Sequence, residues 1–459
     1  MIELAVRFAK YAATLRFEAL PAATVHEVKR RVLDSLGVAF GAWFAEPCAI
    51  ARKVAAHVTA RPGGTVWGTT HCASIDWAAF ANGCLVRYLD YNDTYLSREP
   101  AHPSDNIPAA IAVAEGVGAT GRQLIAAIVL AYEVQCRLCD ATSLRAIGWD
   151  HVTYGCFSAA LAASYLMELD AGRTRHALGI AGVTSAALRQ SRVGELSHWK
   201  GCAFANASRH GVFAAMLARD GMTGPAPIFE GSKGFEELVS GPIPIGGPFA
   251  EDASAGQGDF MIDQTSVKCW PVEYHAQSAV EAALKLRGQL ESPAAIAAVI
   301  VESHDAAVDI IGSEPEKWAP TSRETADHSL PYIVAAALRD GEVTPRQFDE
   351  QHLRDAELLR LVSKVKVVRN AELSAIYPHA VGNIVTIQRG DGSTLSSRVD
   401  YPCGHARNRM SDALVEEKFH RMADGVIGAE RANRLSQWVR ELERQESIPP
   451  LLNMLVVEQ

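Results

Sequence analysis

Residues 88–106 read YLDYNDTYLSREPAHPSDN, and the rest of the chain is organised around this stretch. It lies between two runs of apolar residues at helical spacing, 74–88 and 107–117. Pro100 and Pro103 forbid one continuous helix through it. Carboxylates, a histidine, hydroxyls and an amide crowd together between the two apolar runs. We therefore predict a helix end that opens into a pocket, although the polar groups would also serve to cap helix termini.

Length and composition limit the class of protein. The chain has 459 residues, a net charge of −9, 48% hydrophobic residues and 21% charged residues, which predicts a soluble globular protein of two domains. No apolar run reaches the roughly 18–20 residues that span a bilayer, so we expect no membrane segment. The acidic balance argues against nucleic acid as a partner, because phosphate contact needs a basic surface. Charges scattered through the first apolar positions do not resemble a secretory signal, and we predict a cytoplasmic protein.

The cysteines argue against a metal cofactor. The nine cysteines are scattered, and Cys136 and Cys139 form a lone CxxC inside a helical pattern. An iron–sulfur cluster needs three or four convergent cysteines, so this pair indicates packed thiols. No HExxH motif occurs. We predict reduced thiols, no metal site and no cofactor.

Hydrophobic periodicity changes along the chain. Alanine-rich helical patterns fill the first half, and no strand pattern precedes about residue 290. Alternating apolar residues then predict four strands, the last two joined by a Gly-Asp-Gly hairpin turn. These predicted strands are 296–301, 364–368, 383–389 and 394–399.

From this change we predict a mainly α fold with two domains. A large all-α helical domain spans 1–265, and C-terminal helices 404–459 pack back on it. A smaller α+β lid domain spans 266–403. The stretch 241–258, rich in Gly, Pro, Ala and Ser, is the predicted linker.

Two motifs of the opening stretch, DYNDT at 90–94 and HPSDN at 102–106, resemble the signature of the MmgE/PrpD family. That family contains 2-methylcitrate dehydratases, cis-aconitate decarboxylases and an iminodisuccinate epimerase. The resemblance implies an enzyme that acts on a small di- or tricarboxylate. It continues at WDHVT 149–153, in the basic segment 192–211, at SVKCWPVEYH 266–275 and at SRETADHSLPY 322–332.

The matching positions carry the side chains that dehydration needs. Removing water from a β-hydroxy tricarboxylate requires a base, an acid for the leaving hydroxyl, and positive charge for the carboxylates. Base and acid stay unassigned among the catalytic candidates. The resemblance implies catalytic roles for Asp90, His102, Lys200 and His275, and substrate-binding roles for Asp93, Thr94, Ser104, His151, Lys268 and Tyr332.

Two of these candidates also have an ordinary explanation. Lys200 belongs to a basic segment that could be a solvated face, but its apolar flanks favour a partly buried lysine. Gly201 beside it would allow a close approach to a ligand. His275 opens a predicted helix, where a histidine tends to have a lowered pKa that suits proton transfer, or serves only as a helix-start residue.

The leading hypothesis is a cofactor-independent hydro-lyase that dehydrates 2-methylcitrate or citrate to a cis-aconitate-type product. A cis-aconitate decarboxylase or an iminodisuccinate-type epimerase of the same family is the first alternative. A non-catalytic polycarboxylate-binding protein is the second. We expect the site in a cleft between the two domains, because ligand sites favour domain interfaces, and we expect a homodimer.

Overall fold

The structure of the protein is a computed structural model that describes residues 2–194, 196–250 and 259–458. The part of the predicted linker at 251–258 lies outside the described residues. Helices dominate and the sheets are small, so the predicted mainly α fold with a smaller α+β part is confirmed. No helix in the described ranges is long and apolar enough to cross a membrane.

The helices are short to medium in length, and most have an apolar face turned inward. In chain order they are α1 Leu4–Thr14, α2 Ala22–Gly41, α3 Glu46–Ala55, α4 Ile75–Arg87, α5 Ile107–Val117, α6 Gly121–Ala141, α7 Thr153–Leu166, α8 Ala171–Thr184, α9 Ala203–Arg219, α10 Gln277–Arg287, α11 Asp305–Ile311, α12 Arg323–Ala326, α13 Leu330–Asp340, α14 Glu350–Leu353, α15 Ala356–Val362, α16 Ala371–Ile376, α17 Asp412–Ile427, α18 Ala429–Arg440 and α19 Pro449–Met454.

Four strands form the largest sheet, in the order β6-β5-β7-β8. The central strand β5 pairs in parallel with β6 and antiparallel with β7, and β7 and β8 form the predicted hairpin. Helices α10 and α13 share a hydrophobic core with this sheet. In chain order the strands are β1 Gly64–Thr65, β2 Cys72–Ala73, β3 Asp93–Thr94, β4 Ser266–Val267, β5 Ile296–Ser303, β6 Val365–Arg369, β7 Asn383–Arg389 and β8 Thr394–Val399.

Two separate hydrophobic cores organise the molecule. One core contains buried side chains from two ranges of the chain, Leu4 to Val267 and Met410 to Leu455. The second core contains buried side chains from Val272 to Val399. We call the parts of the chain around these cores the helical unit and the α+β unit. We propose that they are the two predicted domains, whose boundaries at 265 and 404 stay a prediction.

The prediction that no strand precedes residue 290 is wrong in detail. β1 and β2 form one antiparallel ladder, and β3 pairs antiparallel with β4. Each strand has only two residues, which is too short to show an alternating pattern in the sequence. The β3–β4 ladder matters for function, because it places the 88–106 stretch against the start of the α+β unit.

A buried lysine of α17, Lys418, stabilises the contact between the 88–106 stretch and the segment at β4. Lys418 Nζ lies 2.6 Å from Asp34 Oδ1 of α2. It also donates hydrogen bonds to the main-chain oxygens of Tyr91, at 2.7 Å, and Lys268, at 2.9 Å. One C-terminal side chain therefore holds two segments that are distant in the sequence.

We expect Lys418→Met to lower the free energy of unfolding by about 3–5 kcal/mol, because it leaves the buried Asp34 carboxylate without its closest cation. Urea unfolding followed by circular dichroism measures the change. Lys418→Met combined with Asp34→Leu removes both charges and should recover most of the loss. Equal stability of wild type and the single variant would contradict this role.

Candidate active site

A cavity between the helical unit and the α+β unit brings most of the predicted site residues together. The helical unit contributes the stretch after α4, the segment before α7 and the 3-10 turn 198–201. The α+β unit contributes the segment between β4 and α10 and the one after α12. Seven predicted residues line this cavity: Asp90, Thr94, His102, His151, Lys200, Lys268 and His275.

Asp90 is the centre of a buried cluster of charges. Arg87 Nη1 lies 2.6 Å from its Oδ1, which also accepts from Lys268 Nζ. Lys200 Nζ and His328 Nε2 lie 3.2 and 3.3 Å from its Oδ2. Burial opposes the charged form, but Arg87, Lys268 and Lys200 outweigh it and hold the pKa of this carboxyl well below its usual range. Asp90 is therefore an ionised anchor for cations rather than a proton acceptor.

The backbone at Asp90 is strained, which fits a site residue. Its φ of 51° lies in the left-handed region, which few non-glycine residues adopt. Its amide donates to the carbonyl of Arg87 at 3.1 Å, so the chain reverses directly after α4 ends. The reversal turns the Asp90 side chain back toward Arg87, three residues earlier.

Gly201 places Lys200 beside Asp90 for a reason that differs from the predicted one. A Cβ on Gly201 would lie 3.0 Å from Tyr88 Cδ2 and 3.1 Å from Tyr88 Cα. The missing side chain therefore lets the 3-10 turn pack against the end of α4, rather than letting a ligand approach. Lys200 is buried as a result.

Asp327 and His328 complete the cluster from the α+β unit. His328 Nδ1 lies 2.5 Å from Asp327 Oδ1, and Lys200 Nζ lies 3.4 Å from the same oxygen. Asp90, Asp327 and His328 have the donor types of a metal site, with ligand atoms within 4.8 Å of one another. Their oxygens already face the ammonium groups of Lys200 and Lys268, however, and these charges would repel a metal ion. The donor set therefore does not fit a metal.

His102 is arranged as a base. Its Nδ1 lies 2.7 Å from the carbonyl oxygen of Asp93. A carbonyl only accepts, so Nδ1 carries the hydrogen and Nε2 keeps a free lone pair. Burial, together with the positive charges of Arg87 and Lys268, holds the pKa of His102 well below the usual histidine range. The imidazole is therefore neutral at pH 7.

His275 has an acidic partner that the sequence did not reveal. Both oxygens of Glu273 engage it, one at 2.7 Å from Nδ1 and the other accepting from the main-chain N–H at 2.7 Å. Its Nε2 lies 3.2 Å from the hydroxyl of Tyr377. Burial opposes ionisation of Glu273, but His275 outweighs it and lowers the pKa of this carboxyl to about 2. The Glu273 carboxylate therefore fixes the orientation of the His275 ring through Nδ1.

Arginines add positive charge to the same cavity. Arg145, Arg189 and Arg192 line it together with the cations around Asp90. Among the described residues that line it, only Asp90 and Glu273 are carboxylates. The cavity is therefore locally positive in a chain of net charge −9, and it suits an anionic ligand.

Three predicted substrate-binding residues are not among those that line the cavity, so their substrate-binding roles stay predictions. Asp93 is buried behind the wall, where its carboxylate accepts from the main-chain N–H of Ser104 at 2.9 Å and from Tyr132 Oη at 2.7 Å. Ser104 Oγ accepts from the Asn92 amide at 2.8 Å. The Asp93 and Ser104 side chains therefore stabilise the 88–106 stretch, because its buried polar groups need hydrogen-bond partners.

Tyr332 is the third of these residues. It is buried in the core of the α+β unit, and its hydroxyl donates to the carbonyl of Gln347 at 2.7 Å. The preceding part of the same motif reaches the cavity instead, through His328. Ser329 Oγ accepts from the Tyr332 N–H at 3.1 Å and caps the N-terminus of α13. Because the helix begins there, Tyr332 points into the core instead of the cavity.

Sequence reasoning missed several residues that line the cavity. Arg87 stands three residues before Asp90, and this spacing at a helix end is a usable signal for an ion pair. Glu273 stands two residues before His275, inside a motif already recognised. His328 and Arg192 also lie in recognised motifs, but nothing local indicates that they face the cavity.

Known proteins resemble this chain over most of its length. The profile of the MmgE/PrpD N-terminal domain matches residues 6–246, and that of the C-terminal domain matches residues 270–444. A 2-methylcitrate dehydratase of Cupriavidus necator is 30% identical over 384 residues, which cover 78% of this chain and 77% of that protein. A 2-methylcitrate dehydratase of Salmonella typhimurium is 28% identical over 387 residues, covering 78% and 77%. Human cis-aconitate decarboxylase is 27% identical over 453 residues, covering 94% and 90%.

Proposed function

Because the chain belongs to the MmgE/PrpD family, we propose that it is a hydro-lyase that dehydrates 2-methylcitrate or citrate without a cofactor. One observation carries the proposal most strongly. A neutral histidine with a free Nε2, His102, lines a buried cavity together with Lys200 and Lys268. A base beside fixed positive charge is what proton removal next to a carboxylate requires.

In the proposed reaction, His102 Nε2 takes the proton from the carbon next to a substrate carboxylate. The electron pair of the broken C–H bond develops negative charge on that carboxylate before it forms the carbon–carbon double bond. Lys200 and Lys268 stabilise this charge because they are already fixed in place and need no reorganisation. Asp90 holds both lysines.

The leaving hydroxyl needs a proton to depart as water. We assign this proton to His275 Nε2, on a ring that Glu273 holds in place through Nδ1. The hydroxyl of Tyr377 lies 3.2 Å from Nε2, and this contact gives way to the substrate hydroxyl when the proton is transferred. The C–O bond breaks, the hydroxyl leaves as water with the His275 proton, and the unsaturated acid remains. Asp90, predicted to be catalytic, acts here by positioning cations.

A decarboxylase is the alternative that a specific observation favours, because human cis-aconitate decarboxylase aligns over 94% of this chain. The same positive cavity could stabilise the carbanion that loss of carbon dioxide leaves. A non-catalytic binding protein would use the same cations but would not need a base.

Proton NMR of the protein with 2-methylcitrate, citrate and cis-aconitate separates these hypotheses. A dehydratase converts the hydroxy acids and gives a new vinyl proton or methyl signal of the unsaturated product. A decarboxylase consumes cis-aconitate alone and forms a product with one carboxylate fewer. A binding protein raises its melting temperature with these acids and leaves all three spectra unchanged. Only the first result supports the proposal.

We also propose a homodimer that assembles through the helical unit. Several large apolar side chains of this unit are exposed to solvent, and burying them against a second copy would favour association. They include Val183, Leu188, Val193, Trp199 and Phe213. Light scattering at micromolar concentration should give twice the mass of one chain, and Phe213→Glu should reduce it. The mass of one chain for the wild type would contradict the proposal. The cytoplasmic location stays a prediction.

A further inference from the structure

Asp150 holds two side chains in place at the helical side of the cavity. Its Oδ1 lies 3.0 Å from His151 Nδ1, and its Oδ2 accepts from Arg192 Nε at 3.0 Å and from Ser191 Oγ. Asp150 itself is fully buried. Burial opposes its charge, but Arg192 and His151 outweigh it and hold the pKa of this carboxyl well below its usual range. An ionised, buried carboxylate therefore fixes both partners.

The outer atoms of the two fixed side chains are left unsatisfied. His151 Nε2 and Arg192 Nη2 are buried and have no hydrogen-bond partner among the described residues. The side chains are only 9% and 12% exposed, so solvent does not satisfy these atoms. A buried polar atom without a hydrogen-bond partner costs free energy, and such atoms usually find a partner in a ligand or in water.

The two atoms belong to side chains that line the proposed catalytic cavity, which points to a ligand. The ring of His151 lies 5.9 Å from that of His102, centre to centre. Arg145 and Arg189 line the same wall and form no ion pair with any described carboxylate. A guanidinium with a free nitrogen, backed by two further arginines, selects an anionic oxygen.

We propose that Arg192 and His151, held by Asp150, form a carboxylate subsite for a substrate carboxylate that does not take part in the reaction. Arg192 Nη2 donates to the substrate carboxylate, and Asp150 holds the His151 ring at the same site. Arg145 and Arg189 strengthen the site by charge. The subsite would make the enzyme select tricarboxylates over dicarboxylates. This inference rests on the proposed polycarboxylate substrate and deepens it.

Calorimetric binding of two unreactive acids tests the subsite without turnover. Tricarballylate has three carboxylates, glutarate has two, and neither has a hydroxyl that can leave. Wild type should bind tricarballylate roughly ten- to hundredfold more tightly than glutarate, as one charged hydrogen-bonding contact predicts. Arg192→Met should reduce this ratio to near one by weakening tricarballylate binding alone.

Two further variants make the experiment decisive. Arg192→Lys keeps a charge beside Asp150 but loses the second nitrogen, so it should fold and still lose most of the ratio. Arg209→Met is the matched control, since Arg209 pairs with Asp76 and stacks on Trp77 outside the cavity, and it should keep the wild-type ratio. An unchanged ratio in both Arg192 variants, or equal weakening of both acids, would overturn the subsite.

The binding result is independent of the catalytic proposal. A ratio that depends on Arg192 in a protein that dehydrates neither hydroxy acid would leave the subsite standing and defeat the dehydratase. Dehydration of a hydroxy acid, together with an unchanged ratio in the Arg192 variants, would support the dehydratase and overturn the subsite.

Discussion

His102→Asn is expected to lower kcat for dehydration by roughly 10²- to 10⁴-fold, the usual contribution of a positioned base. Asparagine can still donate to the Asp93 carbonyl, which His102 Nδ1 contacts at 2.7 Å, so the turn should keep its shape. It has no lone pair of comparable basicity to accept the substrate proton. Steady-state kinetics on 2-methylcitrate measure the loss, with circular dichroism as a check on folding.

The pH dependence of wild type gives a second readout of the same residue. Burial and the positive charges of Arg87 and Lys268 hold the pKa of His102 well below the usual histidine range, so the ring stays neutral as pH falls below 7. The acid limb of kcat/KM should therefore lie below the ordinary histidine range. His57→Asn, at an exposed position outside the cavity, is the matched control and should keep wild-type kinetics. A His102→Asn variant within twofold of wild type would contradict the assignment.

Lys200→Met should lower kcat/KM by roughly 10²- to 10³-fold, the size found for other fixed electrostatic groups. Lys200 Nζ lies 3.2 Å from Asp90 Oδ2 and 3.4 Å from Asp327 Oδ1, so it is held in place before substrate arrives. Its loss removes charge that stabilises both the bound carboxylates and the developing anion.

Lys200→Met should lower the stability of the fold less than Lys418→Met does. Asp90 keeps Arg87 and Lys268 as partners, and Asp327 keeps His328, so neither carboxylate is left alone. Thermal unfolding should therefore show a smaller decrease in Tm than Lys418→Met gives. Lys285→Met, at a half-exposed lysine on α10, is the control and should retain wild-type kcat/KM. Full activity of Lys200→Met would exclude an electrostatic role.

Local patterns predicted much of the fold. The hairpin strands 383–389 and 394–399 were predicted with the bounds that the structure has, because their apolar spacing and turn residues are regular. The chain between Ala326 and Leu330 is not one continuous helix, since Ser329 caps a new helix there.

The site was predictable where its residues share one stretch, and less so where distant segments meet. Asp90, Thr94 and His102 come from the 88–106 stretch and line the cavity together. The contact of Lys268 with Asp90 depends on the two-residue β3–β4 ladder, which no sequence period reveals. Tyr332 lies in the core rather than in the cavity, because a motif indicates a region of the fold, while the cap at Ser329 decides which side chain faces inward.

The most direct test of the catalytic assignment follows formation of the unsaturated acid from 2-methylcitrate by ultraviolet absorbance. Wild type and His102→Asn are compared, each with and without a metal chelator. We predict conversion by wild type at the same rate with and without chelator, and a rate lower by roughly 10²-fold or more for His102→Asn. No conversion by wild type, or conversion that chelation abolishes and iron restores, would contradict a metal-free dehydratase in which His102 is the base.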